Sequence, residues 1–161
     1  MALLVLMVII ARVRLMSPIL GELNKDKDGI RRFKKSQGGI AIDKRTWLAQ
    51  FTEAARVLGI RFGQQDTILF EAGYYSPCIR LYRRIYSKVH VELFEAIQKG
   101  TVLTLEFTTT LPLDRFRALF ETVGKHLGIS QFGSKFGFGR FEILDIGEKC
   151  NEQNSSGDPV A

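Results

Sequence analysis

Cysteine is scarce in this chain. Two among 161 residues, Cys78 and Cys150, are too few and too far apart for a disulfide framework or a zinc site. A reducing, cytoplasmic compartment is therefore the expectation. Histidine is equally scarce, with only His90 and His126. No HExxH segment, paired-carboxylate motif or nucleophile motif around a cysteine occurs, and the GxxxxGK[ST] phosphate loop is absent. Neither a metal nor a cofactor is expected. Long hydrophobic runs are also missing. The apolar run Leu3 to Ile10 falls well short of the ~20 residues a membrane helix needs. No basic segment precedes it, and no small-residue cleavage pattern follows before Arg12 and Arg14. It reads instead as the lead into a buried first strand, Val8 to Leu15. There is no internal repeat.

What remains is ordinary globular composition, 45% hydrophobic and 25% charged, which excludes a disordered chain. The length suits one domain with a tail, and a domain of this size needs no covalent staples. Twenty-three Lys+Arg stand against 17 Asp+Glu, a net charge of +6. That excess points to a polyanionic partner if it concentrates in one place.

Along the chain, Ser17-Pro18-Ile19-Leu20-Gly21 ends the first strand. Residues 22–42 read as a basic loop insertion with little core material. Residues 43–58 predict a helix: Asp43 caps it, Trp47, Leu48, Phe51, Ala54, Ala55 and Leu58 recur at helical spacing, and Gly59 closes it. Short strand-like segments follow at Thr67 to Glu71, Ile79 to Tyr86 and Val89 to Phe94. Gln98-Lys99-Gly100 makes a turn into a strong strand, Thr101 to Thr109. A second helix starts after Pro112, with Phe116, Leu119, Phe120, Val123 and Leu127 on one face. The last strand spans Phe141 to Ile146, and residues 147–161 read as a disordered polar tail. The order is β-α-β-β-α-β, an α+β ferredoxin-like arrangement. It predicts one domain over residues 1–146, with an antiparallel sheet, both helices on one face and the other face open for binding.

Three segments carry candidate binding chemistry. In GISQFGSKFGFGRF (residues 128–141), Gly133, Gly137 and Gly139 alternate with phenylalanines that include Phe136 and Phe138, beside Lys135 and Arg140. Glycines let a backbone approach a ligand and offer amide N–H groups to phosphate, phenylalanines stack on bases, and cations neutralise phosphates. The alternative is a helix-to-strand connection whose phenylalanines are core. In the second segment Arg80, Tyr82, Arg84, Tyr86 and Lys88 share one strand face, the pattern by which a sheet contacts RNA. The same charges would equally shield a sheet edge. Third, Arg31, Arg32, Lys34 and Lys35 surround Phe33, either as a mobile polyanion clamp or as a solvated loop. His126, at the end of the second helix, is the candidate general base of a metal-independent ribonuclease, or a charge at a helix C-terminus.

In three places the chain resembles the RAMP (repeat-associated) superfamily, the RNA-binding proteins that include CRISPR effector backbone subunits. These are the first strand ending in Ser17-Pro18-Ile19-Leu20-Gly21, the lead Glu95-Ala96-Ile97-Gln98-Lys99-Gly100-Thr101-Val102-Leu103, and the glycine-rich run Gly133 to Arg140 between the second helix and the last strand. At this length the chain resembles a small relative, such as one encoded by a phage or mobile element. The resemblance implies a ferredoxin-like, RNA-binding protein. Residues and resemblance together predict non-catalytic binding of single-stranded nucleic acid, RNA before DNA, with other protein subunits or self-association as further partners and no membrane. Two alternatives stand beside it: an endoribonuclease using His126, and a protein-interaction module such as a phage-encoded inhibitor.

Overall fold

A computed structural model describes residues 5–149 apart from 38, 69, 74, 76, 86, 88 and 130–135, and gives no side-chain account of Ser36 and Ile68. The expected tail therefore lies almost wholly outside the described residues. The protein is α+β, and its sheets are mostly antiparallel.

Apolar residues alternate along β1 (Met7–Leu15), and Ile9, Ala11, Val13 and Leu15 are fully buried. β1 pairs antiparallel with β9 (Val102–Thr109) on one side and β10 (Phe141–Glu148) on the other. The short β6 (Glu71–Ala72) joins the far edge of β9, giving the order β10-β1-β9-β6. A bulge in β10 sets Arg12 opposite Asp145 but Val13 opposite Ile143. The extra residue resets the two-residue alternation. Glu142 and Asp145 thus both face outward, while Ile143 and Ile146 both pack on the core.

One face of this sheet is covered by α1 (Lys44–Leu58) and α3 (Leu113–Thr122). Asp43 caps α1 by accepting the Arg45 N–H, and Gly59 ends it at φ +67°. The Trp47 and Phe107 rings meet edge-on at 5.0 Å, and Phe116 and Phe120 lie 5.1 and 5.5 Å from Phe107. Phe107 on the sheet thus meets both helices, so both cover the same face. Burying such side chains contributes roughly 1.5–3 kcal/mol each. α3 passes into a π-helical turn, Val123–Leu127. The opposite face carries ion pairs: Arg12 with Asp145 at 2.6 Å, Arg14 with Glu142 at 2.8 Å and Lys149 with Glu106 at 3.9 Å.

A second sheet stands apart from the first. Its centre is β8 (Val91–Ile97), paired along its length with antiparallel β7 (Ile79–Ile85). The other edge of β8 takes antiparallel β2 (Ile19–Leu20) and parallel β3 (Ile30–Arg31). β4 (Lys34–Ser36) and β5 (Gly39–Ala41) form a small hairpin.

Several expectations are corrected. The 22–42 insertion supplies core, because Phe33, Ile40 and Ile42 are buried and three short strands run through it. Thr67 belongs to a short helix, α2 (Gln64–Ile68), and among the described residues of the expected strand only Glu71 lies in one. The last strand runs through Gly147 and Glu148, past the expected boundary at 146. The Ile79–Ile85 strand belongs to the second sheet, so its basic residues do not lie on the open face of the first. No helix among the described residues is long and apolar enough to cross a membrane.

Candidate nucleic-acid interface

Strand alternation gives β7 two faces. Tyr82 lies opposite Phe94, and Arg84 opposite Glu92. Residues directly opposite in an antiparallel pair share a face, so Arg80, Tyr82 and Arg84 sit with Phe94 and Ala96. This face holds a small second core of Leu20, Phe94 and Ala96, against which Tyr82 and Phe138 pack. Leu81, Arg83 and Ile85 occupy the other face and are exposed.

Phe136 and Phe138 of the glycine-rich segment lie against the basic-aromatic face. Tyr82 and Phe138 meet edge-on at 5.7 Å, and the Arg84 guanidinium sits 4.1 Å above the Phe136 ring and 5.5 Å from Phe138. A cation over a ring face is held by the ring quadrupole. Phe138 is half-buried, whereas Phe136 is 46% exposed. The fold therefore brings together two segments that sequence alone could only list side by side.

Gly139 anchors the loop. Its N–H donates to the Pro18 carbonyl at 2.7 Å, and its carbonyl accepts the Ile129 N–H at 2.8 Å. With φ +73°, and with a Cβ falling 2.4 Å from the Ile129 carbonyl oxygen, the position admits only glycine. Gly137 also has positive φ, at +80°, but open space around it. Arg140 donates its backbone N–H to the Ser17 hydroxyl at 2.9 Å and a guanidinium N–H to the His126 carbonyl at 3.4 Å. Gly133, Lys135, Tyr86 and Lys88 lie outside the described residues.

The basic run at 31–35 is no mobile arm. Arg31, which ends β3, and Arg32 just after it turn to opposite faces of the second sheet, and each meets an acid of β8. Arg31 lies 3.6 Å from Glu92, which also takes Lys25 at 3.3 Å. Arg32 pairs with Asp26 at 2.5 Å and Glu95 at 3.3 Å, and Lys35 reaches Glu95 at 3.0 Å. The Glu95 carboxylate also accepts the Phe33 N–H at 2.9 Å. Desolvation pushes the Glu95 pKa up, but these donors outweigh it and hold the carboxyl below its ordinary range. Asp26 is drawn down to about 2, chiefly by its hydrogen bond from Arg32. Lys34 points elsewhere. It lines a 370 Å³ cavity with Phe33, Ile42, Asp43 and Thr46 at the start of α1.

Sequence reasoning singled out the cations and missed the acids that neutralise them. Two acids three residues apart in β8 would have been the signal, since that spacing puts one on each face. His126 is exposed in the π-helical turn, and its ring makes no hydrogen bond or ion pair with the described residues. Among the described residues no cluster of three or more His, Cys, Asp or Glu is placed to hold a metal. Scanned against protein-family models the chain matches none, and no curated protein matches it in sequence.

Proposed function

We propose that this protein binds single-stranded nucleic acid, RNA in preference to DNA, without cleaving it. The observation carrying this reading is the placement of Arg84 over Phe136 beside Tyr82 and Phe138. An exposed ring with a guanidinium on one face offers a base a stacking surface and a phosphate a counter-ion at one place. Arg80 lies on the same strand face, and Arg140 follows two residues after Phe138. The strand order β10-β1-β9-β6, with α1 between β1 and β6 and α3 between β9 and β10, supports a ferredoxin-like core into which the β7–β8 hairpin is inserted. It supports kinship with the RAMP superfamily in the same measure.

Fluorescence anisotropy with single-stranded RNA and DNA tests the reading. Binding tighter than to heparin, weakening steeply with salt and lost in the Arg84→Ala, Arg140→Ala double variant, is the expected result. Binding indifferent to both substitutions would overturn it.

One observation favours a second reading. On the outward face of the hairpin Leu81 and Ile85 are 62% and 66% exposed, and Val91 lies directly opposite Ile85. Such a patch marks protein contact surfaces. A partner retained after nuclease treatment, and released by Leu81→Asp, would favour a protein-interaction module.

A further inference from the structure

α3 places Arg117 and Glu121 one turn apart on one side of the helix, and the π-helical turn carries Lys125 just beyond. These residues overhang the start of β10. Gly124 sits so close to it that a Cβ would fall 2.6 Å from the Phe141 carbonyl oxygen. Between them is a cleft of about 460 Å³ with Met16, Phe141 and Ile143 as its apolar part.

The charges of this cleft do not cancel. Glu121 is paired with Lys125 at 3.7 Å, and Glu142 with Arg14 at 2.8 Å. Arg117 and Arg140 also line the cleft. Arg117 makes no ion pair or hydrogen bond with the described residues. Arg140 donates only to the His126 carbonyl through its side chain, and its Nε is buried with no hydrogen-bond partner among the described residues. Two guanidiniums without a counter-ion above an apolar floor are suited to an anion attached to an apolar body. Guanidinium forks match phosphate oxygens in bidentate geometry.

We propose that this cleft holds the sugar-phosphate backbone of the bound nucleic acid, with Arg117 and Arg140 as phosphate ligands. The inference rests on the nucleic-acid reading above and extends it. Arg140 joins the two places, because it lines the cleft and stands two residues from Phe138 on the aromatic face.

The test is anisotropy of a labelled oligouridylate of about 15 nucleotides, titrated between about 50 and 300 mM salt with wild type, Arg117→Gln and Arg117→Glu. Each phosphate contact to a single strand adds about 0.7 to the slope of log K against log salt, so Arg117→Gln should lower that slope by about 0.7. Arg117→Glu should weaken binding further. Arg117 is exposed, so thermal melts should show both variants folded. Wild-type binding with an unchanged slope in Arg117→Gln overturns the cleft while leaving the aromatic face in place. A wild type that binds no oligonucleotide overturns both readings. Stabilisation of wild type by inorganic tripolyphosphate, without oligonucleotide binding, also overturns the proposal and marks a site for free polyphosphate.

Discussion

At the scale of single residues, two buried ionisable groups make stability depend on pH from opposite ends. Glu95, 6% exposed, faces Arg32, Lys35 and the Phe33 N–H. Its folded pKa lies below the unfolded one, so its contribution is present above the unfolded value and is lost as pH falls through the folded value. Asp26, at about 2, acts in the same direction. Urea unfolding should therefore show stability declining as pH drops below about 4, with a shallower decline in Glu95→Gln. At neutral pH, Glu95→Ala leaves Lys35 and the Phe33 N–H without their partner, while Arg32 keeps Asp26; because Lys35 is exposed, the cost is about 2–3 kcal/mol, below that of a fully buried pair. Tyr75 acts at the other end. Burial raises its pKa to about 12, against a small lowering by the Trp47 Nε1–H, which donates to its oxygen at 3.4 Å. A raised folded value means that stability is intact below the ordinary value near 10 and is lost as pH climbs from 10 to 12, by about 2–3 kcal/mol. Tyr75→Phe should remove this alkaline decline, and tyrosinate absorbance should show one hydroxyl ionising near 12, above the ordinary value near 10.

Elements built from local signals were legible in the sequence, and those built from distant partners were not. α1 could be read almost to the residue because Asp43, the three-and-four spacing and Gly59 all act within one or two turns. The β7 face was legible too, because alternation alone sorts Arg80, Tyr82 and Arg84 together. What covers that face depends on Phe138, 56 positions after Tyr82, and no local pattern encodes such a meeting. The partners of the 31–35 run were hidden for the same reason, since Glu92 and Glu95 lie about 60 residues further on, although Asp26 stands only six before Arg32. The β10 bulge shifted the end of that strand because it breaks the alternation from which a boundary is read. The glycine loop yields a prediction at this scale. Gly137→Ala meets only the strain of positive φ, about 1–2 kcal/mol. Gly139→Ala meets the same strain and also drives a Cβ into the Ile129 carbonyl. It should melt markedly lower than Gly137→Ala and unseat Phe138 from Tyr82. Thermal melts and near-ultraviolet circular dichroism would check this, and equal melting of the two variants would contradict the anchoring role.

For the whole molecule, the question is whether the +6 net charge or its placement governs binding. Much of the positive charge is already matched within the protein. Arg12 and Arg14 pair with Asp145 and Glu142 on the open face of the main sheet, and Arg31, Arg32 and Lys35 pair with acids around β8. Arg80 and Arg117 make no such pair with the described residues. Two variants separate the alternatives. Arg12→Ala with Arg56→Ala removes two positive charges that lie far in sequence from the loop and do not line the cleft. Because both pairs are well exposed, the loss of stability should be small. Phe136→Ala removes no charge but takes away the exposed ring beneath Arg84. If attraction to a polyanion came from net charge alone, the first variant would bind RNA more weakly and the second would match wild type. A stacking site predicts the reverse, because base–aromatic stacking contributes about 1–3 kcal/mol per base, so Phe136→Ala should weaken binding about 5- to 150-fold while the double variant changes it less than about 2-fold. Anisotropy at near-physiological ionic strength decides between them, since distant surface charges are then screened over about 8 Å and contacts within the site are not.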